Sequence, residues 1–232
     1  QFFKVNLRII FQAFFLLLFT SSAFSQTDNL NSWYQYTVSA KLSEKWSATA
    51  LSQYRSYDVV KDGRLFLVSG YLERNFKNGI SPAAGYMFLI LEPYTDVMEK
   101  KIRYENRPYQ QLSIRNKVGN VNVMHRYRAE ERFLTNPDDF ILRLRYLISL
   151  KFPLYKNDGT EVLYGIFKNE IRMNVVKDEQ FDSNRITAGL GINLGKNSSL
   201  ELGFINQVGA DDTANYTVVS FKNNFDFSKN ND

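Results

Sequence analysis

Charged side chains recur at every second position along several segments of this chain. Arg128, Glu130 and Arg132 alternate with other residues in one segment, and Arg143 and Arg145 do so in the next. A guanidinium group can donate two parallel hydrogen bonds to a carboxylate or a phosphate. The pattern therefore indicates binding of anionic groups, supplied by a ligand or by glutamates of the chain itself. The candidate residues are Arg55, Arg103, Glu105, Arg107, Arg128, Glu130, Arg132, Arg143, Arg145, Lys168, Glu170, Arg172 and Arg185.

The alternation predicts that these residues lie on β-strands with one apolar face and one polar face. In residues 140–152, FILRLRYLISLKF, one parity is apolar or aromatic and the other carries Arg143, Arg145 and Lys151. A period of two is that of a strand. Segments this long exceed the ~5–6 residues of a typical soluble strand and suit a tilted crossing of a bilayer. Because an arginine facing lipid costs ~2–4 kcal/mol near the midplane, we expect the charged parity to face a lumen.

Segments of this kind follow one another from about residue 32 to residue 227, with turn residues between them. They span residues 32–42, 46–57, 64–76, 80–91, 101–114, 120–133, 140–152, 161–175, 184–194, 199–208 and 215–227. We predict an all-β fold, an antiparallel up-and-down transmembrane β-barrel of ten to twelve strands. Single-chain bacterial barrels have an even number of strands. Either a short strand near residues 27–31 brings the count to twelve, which we favour, or one segment lies outside the wall.

The lengths of the breaks predict the orientation of the barrel, because periplasmic turns are short and outer loops are longer. The short breaks are 43–45, 77–79, 115–119 and 195–198. The longer breaks are 92–100, 134–139, 176–183 and 209–214. The two classes alternate along the chain, apart from an unusually long periplasmic break predicted at 153–160. This orientation places the candidate residues in the outer half of the lumen, and smaller groups such as Asn122, Ser149 and Thr187 in the inner half.

The candidate residues comprise ten bases and three acids, an excess of +7 that is larger than the +5 of the whole chain. Three interpretations remain open. The arginines could pair with Glu105, Glu130 and Glu170 in a structural network that fills and cross-links a narrow barrel. Unpaired arginines could instead bind a small anionic solute that enters from outside. The third interpretation is a narrow anion-conducting pore.

The N-terminal residues have the features of a cleaved signal peptide. Lys4 and Arg8 precede the apolar run 9–19, and the residues 23–25, Ala-Phe-Ser, fit the small-residue cleavage rule. The apolar run is too short for a transmembrane anchor. We therefore expect a signal peptide over 1–25 and one barrel domain over 26–232. The expected location is the outer membrane of a Gram-negative bacterium, reached through the general secretory route.

Composition is consistent with this location and excludes other classes of function. The chain has no cysteine, and its 15% aromatic content suits the aromatic girdles of a membrane barrel. A net charge of +5 raises the possibility of nucleic-acid binding. That function is disfavoured because an exported chain rarely meets nucleic acid and its basic residues alternate with apolar ones. We expect a monomer without a cofactor, whose partners are outer-membrane lipid and a small anionic solute.

Two alternatives to a non-enzymatic membrane barrel deserve a test, and the first is a hydrolase that acts on lipid or glycan. His125, the single histidine, lies on the lipid-facing parity beside Val123 and Tyr127, with no serine nearby on that face. One histidine and no cysteine make a metal site unexpected. Arginine-flanked glutamates would stay ionised, which does not suit a general acid. The second alternative, a soluble lipocalin-like barrel, would bury the apolar parity and expose the arginines.

Several longer motifs resemble a known family. They are HRYRAEERF, FILRLRYLISLKFPL, NEIRMN, EQFDSNRITAGLGINL and LELGFINQ. Together they resemble the barrel family called domain of unknown function 2490, common in Bacteroidetes outer membranes, and the resemblance covers most of residues 33–227. The matching positions are Trp33, Trp46, Arg55, Arg107, Arg128, Glu130, Arg132, Arg143, Arg145, Glu170, Phe181, Asp182, Arg185, Gly189 and Gln207. The resemblance implies an outer-membrane barrel and brings no activity or catalytic residue.

Overall fold

Alternating residues form a succession of long β-strands in the computed structural model, which describes residues 31–96, 99–176, 180–210 and 213–228. The strands are β1 (Asn31–Lys41), β2 (Trp46–Ser56), β3 (Gly63–Arg74), β4 (Ile80–Leu91), β5 (Arg103–Val118), β6 (Val121–Leu134), β7 (Asp139–Asn157), β8 (Thr160–Asn174), β9 (Phe181–Asn193), β10 (Ser198–Gly209) and β11 (Thr213–Asp226). Each coincides with one predicted segment. Within these ranges there is no helix long and apolar enough to cross a membrane. The predicted signal peptide, and nearly all of the strand considered near 27–31, lie outside the described residues.

The strands close into a barrel in which neighbours along the chain pair antiparallel, and β1 pairs with β11 in parallel. The register at this seam runs from Asn31 opposite Tyr216 to Lys41 opposite Asp226. The expectation of a wholly antiparallel barrel with an even count is therefore wrong for the described residues, which form eleven strands. In a meander with an odd number of strands, the first and last strands run in the same direction. They can close the barrel only as a parallel pair.

Strand β7 is longer than predicted and removes the unusual break at 153–160. It continues through Pro153 to Asn157, and β8 begins at Thr160 after a two-residue turn. Pro153 lacks a backbone N–H, and the register with β8 shifts between Pro153 and Tyr155. An irregularity of this kind is how a strand accommodates proline. The proline therefore interrupts the ladder without ending the strand.

The two ends of the barrel differ in their connections. At one end, here the short-turn end, the connections are 42–45, 75–79, 119–120, 158–159 and 194–197. At the other, the long-loop end, they are 57–62, 92–102, 135–138, 175–180 and 210–212. The breaks predicted at 134–139 and 209–214 are shorter than expected, because the flanking strands extend into them. Strand β1 begins at the long-loop end and β11 finishes at the short-turn end.

The outward parity of the strands is apolar and accessible. Exposed outward side chains include Phe66, Val68, Leu72, Tyr86, Tyr127, Phe140, Leu144, Phe167, Ile186 and Phe204. The inward parity carries buried charged groups, among them Glu105, Glu130 and Arg143. A soluble lipocalin-like barrel would show the opposite arrangement. The charged groups thus lie in the lumen, as the alternation predicts.

Candidate functional site

Arginines and carboxylates from β5 to β9 meet inside the barrel, near the long-loop end. Each comes from an inward position, so that strand pairing places them in adjoining rows: Glu130 pairs with Arg143, and Glu170 with Arg185. We call this group the arginine network. Ion pairs of 4.0 Å or less connect all of its members. The members are Arg107, Arg126, Arg128, Arg132, Arg143, Arg145, Arg172, Arg185, Glu105, Glu130, Glu170 and Asp182.

Glu130 lies at the centre of the network and is fully buried. Arg143 donates from Nε and Nη2 to its Oε2 atom at 3.0 and 2.7 Å, and Arg145 donates to Oε1 at 2.5 Å. Arg107 and Arg128 approach the same carboxylate at 3.4 and 3.6 Å. One carboxylate is therefore surrounded by four guanidinium groups, which compensate for its burial.

Glu170 joins the network to strands β8 and β9. Arg145 donates from Nη2 to both of its carboxylate oxygens, at 2.6 and 2.7 Å, so that Arg145 bridges Glu170 and Glu130. Arg126 donates to Glu170 at 2.7 Å, and Arg185 lies 3.7 Å away. These contacts cross-link four strands from inside the lumen.

Two further carboxylates complete the network toward the long-loop end. Arg132 binds Glu105 in a bidentate manner, with Nε and Nη2 donating at 2.7 and 3.0 Å. Asp182 lies 3.1 Å from Arg172, 3.3 Å from Arg143 and 4.0 Å from Arg132. Asp182 and Arg126 were not among the candidate residues predicted from the sequence. The inward parity of Arg126, shared with Arg128 and Glu130, was a signal that could have found it.

The network carries more positive than negative charge. Its eight arginines exceed its four carboxylates by four formal charges. Most of these guanidinium groups are almost inaccessible: Arg143, Arg172 and Arg185 are 4%, 7% and 8% exposed. Buried like charges repel strongly where water is scarce. The excess charge is therefore a favourable electrostatic environment for an anion.

Three predicted residues stand apart from the network. Arg55 stacks on the indole ring of Trp33, with its Cζ atom 3.5 Å from the ring centroid, and donates to Gln53 at 3.0 Å. Lys168 lines the lumen and has no carboxylate within 4.0 Å in the described part of the chain. Arg103 lies at the long-loop rim, where it donates to the Thr135 carbonyl at 3.4 Å. Arg55 and Lys168 are thus lumen cations without a close acidic partner.

The half of the lumen toward the short-turn end contains ion pairs in addition to the smaller groups predicted there. Lys222 donates to Glu201 at 2.6 Å, and the Tyr164 hydroxyl donates to the same carboxylate at 3.1 Å. The other pairs in this half are Lys151–Glu161 at 2.7 Å and Arg115–Glu73 at 3.0 Å. Each of these three basic side chains has a carboxylate partner, whereas arginine exceeds carboxylate in the arginine network.

A cavity of about 770 Å³ runs through the lumen. One side of it is lined by leucine and methionine from β2, β3 and β4, which we call the apolar wall. Its members are Leu51, Leu65, Leu67, Met87, Leu89 and Leu91. The other side is lined by the arginine network. A volume of this size is within the range of sites that hold small organic ligands.

His125 lies on the outer face of the barrel among tyrosine side chains. Its Nδ1 atom forms a 2.9 Å hydrogen bond with the Tyr146 hydroxyl, and the two rings stack with centroids 6.1 Å apart. The Tyr127 ring lies 5.0 Å from that of Tyr146 on the same outer face. Across the described ranges, His, Asp and Glu side chains form no group of three or more that could hold a metal ion.

A family model described as "Protein of unknown function (DUF2490)" matches residues 30–218. The chain belongs to this family. Among solved structures, the DUF2490 barrel is similar to that of LpxR from Salmonella typhimurium, with 10% sequence identity and a TM-score of 0.43. That similarity covers 77% of this chain and 83% of the LpxR chain. The comparison with curated proteins finds no match.

Proposed function

We propose that this DUF2490 protein is a monomeric outer-membrane β-barrel of a Gram-negative bacterium, exported through the general secretory route, that binds small anionic solutes in its lumen without catalysing a reaction. The observation that carries the proposal is the excess of arginine over carboxylate around the lumen cavity. Its partners are the surrounding membrane lipid and the bound solute.

The outer surface supports a membrane location. Phe66, Tyr127 and Phe204 are each more than two-fifths exposed and lie on different sides of the barrel. An apolar surface that surrounds the wall is unfavourable in water and suits the hydrocarbon of a bilayer. Strands of 11 to 19 residues are long enough to cross a bilayer at a tilt. The short-turn end would face the periplasm and the long-loop end would face outward.

The charge balance supports anion binding over a purely structural network. The four carboxylates of the arginine network already cross-link the strands. Cations that lie outside these ion pairs repel the nearby arginines and form no ion pair with a carboxylate of the network. Arg55 and Lys168 lie outside the ion pairs of the arginine network. An anion from solution would relieve this repulsion and would gain charge-assisted hydrogen bonds.

The surroundings of His125 favour a binding role over a hydrolase. Within the described ranges, it contacts the hydroxyl and the ring of Tyr146 on the outer face. A nucleophilic mechanism most often uses a serine, threonine or cysteine that a base activates, whereas the hydroxyl that contacts His125 belongs to Tyr146, whose ring stacks on the imidazole. Replacing His125 by alanine should leave anion binding unchanged, whereas a hydrolase that used this histidine would lose its activity.

Membrane location is tested by fractionation and by heat-modifiable gel migration. The mature chain should be recovered with outer membranes, should require detergent for solubility and should migrate faster when it is not boiled. Recovery as a monodisperse protein in plain buffer would contradict the proposal.

Anion binding is tested by thermal unfolding in a non-ionic detergent, with phosphate titrated against chloride at constant ionic strength. A ligand that binds only the folded state raises the unfolding temperature by mass action. We expect phosphate to do so in the wild type, and the effect to be lost in the double variant Arg55→Gln, Lys168→Gln. Lys45→Gln, which removes an exposed lysine in a short turn, is the matched control. An equal rise in all three proteins would contradict binding at Arg55 and Lys168, and no rise in the wild type would leave the network with a structural role only.

A further inference from the structure

The lumen has two walls of different chemistry that face each other. In the closed ring of strands, β2 to β4 lie across the barrel from β7 to β9. The apolar wall is formed by the first group, and the second group supplies Arg143, Arg145, Arg172 and Arg185. Both walls line the same cavity of about 770 Å³. A small inorganic anion would contact only the arginines, and a neutral lipid would contact only the apolar wall.

Trp33, on β1, is approached by arginines from both sides of the lumen. The guanidinium carbons of Arg55 and Arg185 lie 3.5 and 5.2 Å from its ring centroid. Arg64, at the start of β3, lies 5.7 Å from the ring centroid of Tyr216, which packs edge-on against Trp33. The three arginines therefore gather around one aromatic cluster in the lumen.

Arg55 donates to Gln53 at 3.0 Å and Arg185 to Gln207 at 2.7 Å, but other donors of this cluster lack an acceptor among the described residues. The Arg64 guanidinium group lies over the Tyr57 and Tyr216 rings, with its Cζ atom 4.9 and 5.7 Å from their centroids. The Nε atom of Arg55 and the Nε1 atom of Trp33 are buried donors without an acceptor. Unsatisfied buried donors cost free energy, and a bound oxyanion is the type of group that could satisfy nearby donors after a small rearrangement.

The apolar wall starts directly beside this cluster. Arg55 pairs in register with Leu65, and Leu65 pairs with Leu91. The next inward row contains Gln53, Leu67 and Leu89, of which the two leucines are 4% and 2% exposed. An anionic group at Arg55 and Arg64 would thus have an apolar surface within a few ångströms, on the same side of the lumen.

We infer that the solute of the lumen is a single-tailed amphiphilic anion, a carboxylate with one apolar chain. Its carboxylate binds among Arg55, Arg64 and Arg185 beside Trp33, and its tail lies along the apolar wall formed by Leu65, Leu67, Leu89 and Leu91. This assignment rests on the proposed anion-binding function and specifies its ligand. The carboxylate of such an amphiphile contacts the arginines while its tail contacts the apolar wall. A free inorganic anion or a neutral lipid would make only one of these two contacts.

The fluorescence of Trp33 can report binding, because the chain has two tryptophans and the other, Trp46, lies at the short-turn end. Trp46→Phe leaves Trp33 as the sole tryptophan reporter. Its emission is measured in lipid nanodiscs during titration with decanoate, acetate or decanol. We expect a saturable change with decanoate at a concentration at least tenfold lower than with acetate. Decanol, which partitions into the lipid and lacks the charge, should give no saturable change.

Variants made in the same Trp46→Phe background distinguish the contribution of the carboxylate to binding from that of the apolar chain. Arg64→Gln should weaken decanoate binding at least tenfold, while Arg64→Lys should retain it. Leu91→Asn should weaken decanoate and leave the acetate response unchanged. Lys45→Gln, far from the cavity, should behave as the parent protein. Heat-modifiable migration verifies that each variant is folded.

The outcomes distinguish failure of this inference from failure of the proposed function. Equal potency of decanoate and acetate, or full decanoate binding in folded Arg64→Gln, would overturn the amphiphile assignment. If phosphate still raised the unfolding temperature of the wild type through Arg55 and Lys168, simple anion binding would stand. Loss of both responses would reject both proposals.

Discussion

Arg143 and Glu130 face each other on neighbouring strands, and two nitrogens of the guanidinium donate to a single carboxylate oxygen at 3.0 and 2.7 Å. Neither side chain is more than 4% exposed. The pair is therefore a buried strut between β6 and β7 that depends on both charges being present. Removing either charge leaves the other buried without full compensation.

Glu130→Gln is expected to destabilise the barrel strongly, because four guanidinium groups lose their shared counter-charge. Breaking a buried ion pair from one side costs about 3–5 kcal/mol. The measurement is the denaturant midpoint of unfolding in detergent or vesicles. Glu44→Gln is the matched control, since Glu44 pairs with Lys41 in an exposed turn with 82% of its side chain accessible. Equal effects of the two substitutions would contradict a central role for Glu130.

Phe204→Lys tests the lipid-facing surface. Phe204 lies near the middle of β10 and is 47% exposed on the outward face. A lysine near the bilayer midplane costs ~2–4 kcal/mol, and one near the interface ~0–1 kcal/mol. We expect Phe204→Lys to lower folding into vesicles. Phe227→Lys, just beyond the end of β11, should have little effect. A soluble barrel would tolerate both changes equally.

Cysteine cross-linking tests the parallel seam between β1 and β11. The chain contains no cysteine, so that introduced pairs are free of background. Val38 and Asn223 are partners in the register, whereas Val219 is the partner of Tyr34. Because disulfides require Cα atoms less than about 7 Å apart, the pair Val38→Cys with Asn223→Cys should oxidise readily. The pair Val38→Cys with Val219→Cys should not; if it did, the register or the parallel closure would be incorrect.

Gly189→Ala tests the close packing of β9 against β10. A Cβ atom at Gly189 would lie 2.6 Å from the Leu202 carbonyl oxygen, a backbone atom that cannot rotate away. Overpacking of this kind costs roughly 1–3 kcal/mol. The unfolding temperature should fall in Gly189→Ala and change little in Gly70→Ala, where the nearest atom would be 3.9 Å away. An unchanged Gly189→Ala protein would mean that these strands lie farther apart.

The positions of the strands and the faces of their residues were predictable, because a period of two fixes which side chains share a face. Phe140 and Leu144 lie outside, and Arg143 and Arg145 lie inside, as the alternation required. The continuation of β7 through Pro153 was not predictable from the same rule. Proline and the turn-forming residues after it resemble a break in the sequence, whereas pairing with β8 holds the strand beyond them.

Alternation along the amino-acid sequence was enough to specify a barrel with apolar residues outside and charged residues inside, because that property is local to each strand. The parallel closure of β1 on β11, the meeting of Asp182 with Arg172, and the stacking of Arg55 on Trp33 exist only in the folded barrel. These depend on which strands become neighbours in the closed ring and which side chains meet across the lumen. No local periodicity encodes such distant contacts, and they are the contacts that create a cavity with one apolar wall and one basic wall.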